Sequence, residues 1–95
     1  MDSEELEREI VGLFLTQLPS IVDLLRGAAD EAEWRFASHT LKGSALAMGA
    51  ARIADIAKQL ESTMPPGSED SRLVLMSVLD REITLFRQEV ADLHR

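Results

Sequence analysis

Apolar residues recur at helical spacing along most of the chain, in four separate stretches. Leu6, Ile10, Leu13, Phe14, Leu18, Ile21 and Leu25 follow the face of one helix, which predicts a long first helix over about residues 3–29. Val11, Leu15 and Val22 form a second apolar row beside that stripe, wider than one neighbouring helix would cover. Either two helices pack there or part of the row is exposed. Pro19 interrupts the pattern because it has no N–H for the carbonyl of Leu15, so the helix is expected to kink or split near it.

Trp34, Ala37, Leu41, Ala45 and Met48 make the next stripe, predicting a helix over about residues 31–48. Asp30 and Glu33 precede it with the spacing of a capping box, Asp replacing the usual Ser or Thr, and Gly49 suits the left-handed position that closes a helix. Ile53, Ile56, Ala57 and Leu60, with Met64 as a continuation, predict a third helix over about residues 50–63, ended by Pro65, Pro66 and Gly67. Ser68, Glu69 and Asp70 suit a helix start, and Met76, Leu79, Ile83, Phe86, Val90 and Leu93 then alternate steps of three and four, predicting a last helix over about residues 68–93. Amphipathic helices joined by short connections predict an all-α, antiparallel up-down-up-down four-helix bundle filling a single domain, residues 1–95. The connection around Pro65 is the longest and most polar, so mobility is expected there.

Composition agrees with that fold and narrows the partners. Aromatic residues make up only 4% of the chain and Ala and Leu are plentiful, which favours helix over a β-sandwich. A net charge of −7 sets nucleic acid aside, because phosphate backbones need a basic face. With no cysteine, disulfides and thiolate metal sites are excluded. Neither a leader-like segment nor an apolar run of about 20 residues stands in the sequence, so no membrane association and a cytoplasmic location are expected.

The candidate chemistry lies on the second helix. His39 falls nearly opposite the Trp34-to-Met48 stripe, with Arg35 one turn before it and Lys42 and Gly43 one turn after. An interior glycine costs a helix about 1 kcal/mol relative to alanine, so something other than helix stability chose it. An ordinary imidazole, with a pKa near ~6.5, is mostly neutral at cellular pH and offers a lone pair to phosphorus. Transfer of a phosphoryl group needs an in-line approach and offset of its spread charge. Gly43 leaves room for the first, and Lys42, with Arg35 as an auxiliary cation, supplies the second.

The segment His39, Thr40, Leu41, Lys42, Gly43, Ser44, followed by Met48, Gly49 and Ala50, resembles the signature of histidine-containing phosphotransfer (HPt) domains. The likeness extends to the first helix from Phe14 to Leu25 with its Pro19, to the capped second helix and to the helix end at Leu60 and Glu61. It implies a four-helix bundle with His39 as phosphoacceptor, Lys42 as the nearby cation and Gly43 as the residue clearing space for phosphate. The implied partners are receiver domains of response regulators or hybrid histidine kinases, between whose aspartates phosphate is relayed. Ser38 stands where family members commonly have Ala, a departure that adds a hydrogen-bonding group and leaves the chemistry intact.

No glycine-rich phosphate loop is present, so autophosphorylation from ATP is not expected, nor any bound cofactor; Mg²⁺ would come with the partner's aspartate site. Arg35 and Gly43 cannot serve as second metal ligands to His39, and Ser44 lies too far around the helix for a serine-hydrolase pairing. His94 has no Lys-Gly set and reads as a solvated chain end. Phe36 and Leu46 flank His39 on the helix wheel, and with Val11, Leu15 and Val22 they form either an apolar docking patch or a surface covered by neighbouring helices. A monomeric phosphocarrier is the expected function. The rivals are a docking module that modulates receivers or kinases without carrying phosphate, and the excised phosphoacceptor domain of a larger histidine kinase.

Overall fold

The computed structural model describes residues 3–63 and 69–93. Met64, the Pro65 connection with its expected mobility, Ser68 and His94 lie outside the described residues. The helices are α1 (Ser3–Arg26), α2 (Glu31–Ala47), α3 (Ala51–Ser62) and α4 (Glu69–Leu93). Among the described residues there is no strand, and no helix is long and apolar enough to cross a membrane.

Local chemistry explains most of the helix ends. Asp30 adopts an extended conformation (φ −143°) and accepts from the Glu33 N–H at 2.9 Å, while the Glu33 carboxylate accepts from the Ala29 N–H at 2.7 Å. This is the expected reciprocal cap, with the return bond reaching one residue further back than in the usual box. At the other end Gly49 takes φ 70°, Gly49 N–H donates to Leu46 O and Ala50 N–H to Ala45 O, which closes α2 in a Schellman motif. The first helix is shorter than expected, ending at Arg26 and not near residue 29, because the chain turns at Gly27 and Ala28 toward the Asp30 cap. It also runs unbroken through Pro19, so the split is not realised.

The core is built from Phe14, Leu18, Ile21 and Leu25 of α1, Trp34, Ala37, Leu41 and Ala45 of α2, Ile53, Ile56, Ala57 and Leu60 of α3, and Met76, Leu79 and Ile83 of α4. Phe14 and Phe86 meet edge to face with ring centroids 5.7 Å apart. Leu15 O of α1 meets Arg87 near the end of α4, while Leu25 O and Arg26 meet Arg72 and Asp80 nearer its start, so these two helices run antiparallel.

Three residues of the expected α1 core face are instead exposed: Leu6 (47%), Ile10 (39%) and Leu13 (62%). The reason is length. At 1.5 Å per residue, helices of 24 and 25 residues outreach neighbours of 17 and 12, so the start of α1 and the end of α4 have no α2 or α3 to cover them. Leu93 is exposed for the same reason.

Candidate functional site

The helical phase of α2 turns Trp34, Ala37, Leu41 and Ala45 inward and His39 outward, its side chain 70% exposed. What holds the neighbouring helix against this face is Trp34. Its buried indole N–H donates to Leu60 O at 2.7 Å, and the Arg72 guanidinium stacks on the ring at 4.8 Å. The last turn of α3 is thereby fixed beside α2, and the next residue, Glu61, arrives at the histidine.

Glu61 is the residue that sequence reasoning missed as part of the site. Its Oε2 lies 2.9 Å from Lys42 Nζ and 3.5 Å from His39 Nδ1. Lys42, the nearby cation expected from the sequence, is also a half-buried ion-pair partner of Glu61. The Lys42 ammonium holds the Glu61 carboxyl below its ordinary value of 4.5 against the upward push of partial desolvation, and His39 adds a smaller downward pull. Glu61 Oε2 is buried and has no aligned hydrogen bond, so an N–H on Nδ1 would find an acceptor in place. With Nδ1 turned to Glu61, Nε2 is the ring nitrogen left facing outward. A helix end at Leu60 and Glu61 was visible in the sequence, but nothing in its spacing couples it to a residue on another helix.

Gly43 lies one turn beyond His39 in an exposed position, and a Cβ built there meets nothing within 4 Å. Arg35, one turn before, pairs with Glu31 at 3.1 Å and shares with His39 a hollow of about 650 Å³ that Glu31, Ala32, Phe36 and Glu61 also line. Ser38 is buried and donates to Trp34 O at 2.7 Å, so the hydroxyl adds an intrahelical bond and leaves the outer face unchanged.

The apolar surroundings divide differently from the sequence expectation. Phe36 (67% exposed) and Leu46 (63%) are open to solvent, as is Leu24 of α1, which the sequence had not singled out. Val22, by contrast, is buried in the core, Leu15 packs partly against it, and Val11 is half-buried. Val22, and in part Leu15, are thus taken up by the core, on the flank of α1 where Leu15 O meets Arg87 of α4. Among the described residues no three His, Asp or Glu side chains converge as a metal site would require.

An exposed imidazole with one nitrogen facing a carboxylate, a lysine on that same carboxylate and open space one turn away is an arrangement able to take up a phosphoryl group at the other nitrogen. No curated protein and no solved structure matches the chain. The family model described as Hpt domain matches residues 9–95. The chain therefore belongs to the Hpt domain family, the histidine phosphotransfer domains of two-component signalling.

Proposed function

We propose that His39 accepts a phosphoryl group at Nε2 from the aspartyl phosphate of one receiver domain and passes it to an aspartate of another. The observation that carries this reading is the pairing of an exposed ring with Glu61 at Nδ1. The neutral imidazole keeps its proton on Nδ1, facing Glu61, so the Nε2 lone pair is free. As the N–P bond forms, the P–O bond to the donor aspartate breaks and its electron pair leaves on that carboxylate. The ring becomes cationic, and its Nδ1–H is held by the Glu61 carboxylate, which offsets the charge. Passing the group on reverses these steps, so no proton has to enter or leave the site.

Lys42 supports the same step from the other side of Glu61, within reach of a phosphoryl group on the ring, and Gly43 leaves the line of approach open. The Mg²⁺ that assists aspartyl chemistry would be held by the receiver. Hpt domains are phosphocarriers and not catalysts, so neither turnover nor an ATP site is assigned to this chain. Phe36, Leu46 and Leu24 are the exposed apolar residues available to a receiver on this side of the bundle.

The test is phosphoryl uptake from phosphorylated receiver domains. His39→Gln should take up no acid-labile phosphate while His94→Gln labels as the parent does. Labelling of His39→Gln would remove the assignment, and a parent that binds receivers without ever being labelled would make it a docking module.

A further inference from the structure

Beside the histidine hollow lies a second, smaller groove, between the end of α1 and the start of α2. Asp23, Leu24, Gly27, Glu33 and Phe36 line it, and its volume is about 260 Å³. That is room for one long side chain and not for a helix. Phe36 is the wall common to both hollows, so the groove adjoins the surface that a partner seated over His39 would meet.

Its chemistry is specific. Leu24 and Phe36 are exposed apolar walls (53% and 67%), and the acidic residues Asp23 and Glu33 line the groove with them. Glu33 spends one oxygen on the Ala29 N–H. Asp23 has no side-chain hydrogen bond or ion pair among the described residues. Two negative charges over an apolar slot fit a side chain with an aliphatic stem and a cationic head. The exposed Phe36 ring adds a face on which a guanidinium or ammonium rests favourably.

We infer that this groove receives a lysine or arginine side chain presented by the partner receiver, and that Asp23 is the residue selecting such receivers. The inference rests on the relay reading above and adds to it the charge of the partner's contact surface. A basic side chain seated here anchors the receiver one turn from His39 without entering the transfer site. Asp23 therefore acts on encounter and affinity and not on the chemical step.

The experiment phosphorylates a panel of receiver domains from the same organism with acetyl phosphate. Transfer is followed to the parent, Asp23→Asn and Asp23→Lys at low and high salt, with His39→Gln as the blank and thermal midpoints to confirm folding. Glu33 is left intact because it caps α2. For the receivers that label the parent, Asp23→Lys should raise the half-saturating receiver concentration on the order of tenfold, Asp23→Asn less, with the rate at saturation retained. The parent should lose more affinity with added salt than Asp23→Lys does. Transfer to Asp23→Lys with parental half-saturation and salt response overturns the groove assignment alone. A fall in the saturated rate with unchanged half-saturation also overturns it, since Asp23 would then act on the chemistry. If no receiver labels the parent, the relay reading fails and this inference fails with it.

Discussion

Arg87 of α4 donates to the main-chain carbonyl of Leu15 at 2.9 Å, and that carbonyl is the one Pro19 has no N–H to satisfy. The contact closes the gap that proline leaves in α1 and fastens α1 to α4. It stands beside two more such ties, Arg26 with Asp80 and Arg72 with the last carbonyls of α1.

Removing Arg87 should therefore cost more than a surface arginine usually does. Arg87→Ala is expected to lose about 1 kcal/mol, a drop in thermal midpoint of about 4–8 °C for a domain of this size. In a Pro19→Ala background the restored N–H takes over the Leu15 carbonyl, and the same substitution should cost about half as much. A double-mutant cycle by thermal melts checks it; equal costs in both backgrounds would show that the arginine is not serving the proline gap.

Gly43 separates access from folding. Open space around it means that Gly43→Ala should stabilise the helix by up to about 1 kcal/mol and that Gly43→Gln should fold. The larger side chain would stand in the line of phosphoryl approach, where a misplacement of about 1 Å costs ~100-fold in rate. Thermal midpoint and phosphoryl uptake measured side by side decide it, since parental transfer by folded Gly43→Gln removes the steric argument.

Trp34→Phe keeps an aromatic side chain, smaller than the buried indole, and deletes the donor to Leu60 O. Leu60 O then keeps only the longer 3.2 Å bond from the Thr63 N–H, so the lost hydrogen bond should cost about 0.5–1.5 kcal/mol, and the end of α3 loses its anchor beside the site. The expected result is a lower thermal midpoint together with a change in the His39 ring resonances, because Glu61 follows Leu60. Unchanged ring resonances would show that Glu61 is positioned by other contacts.

The pH dependence follows from Glu61, whose folded carboxyl titrates below 4.5 with Lys42 as the main cause. A depressed carboxylate adds stability that is fully present above its unfolded value and is lost as pH falls through its folded value. The carboxylate's share of the difference in thermal midpoint between the parent and Glu61→Gln should thus be lost as pH falls through the acid range below 4.5. In Lys42→Ala the carboxyl titration of Glu61, followed by NMR, should move back up toward 4.5. The same variant should slow transfer by ~10-fold, the worth of one charge-assisted contact.

Periodicity and capping chemistry are properties of one helix at a time, and these the sequence determined. Trp34, Leu41 and Ala45 had to face inward together, His39 had to face outward, Asp30 with Glu33 had to start α2, and Gly49 had to end it. Apart from the shortened end of α1, each helix bound falls within about one residue of the expectation. What a helix face meets depends on the lengths and placement of its neighbours, which no single stripe encodes. Only the tertiary structure left Leu6, Ile10 and Leu13 uncovered, buried Val22 and found a donor on α4 for the carbonyl above Pro19. The same holds at the site. Glu61 comes to His39 and Lys42 because Trp34 holds the Leu60 carbonyl, a contact between helices that local spacing along the chain cannot specify.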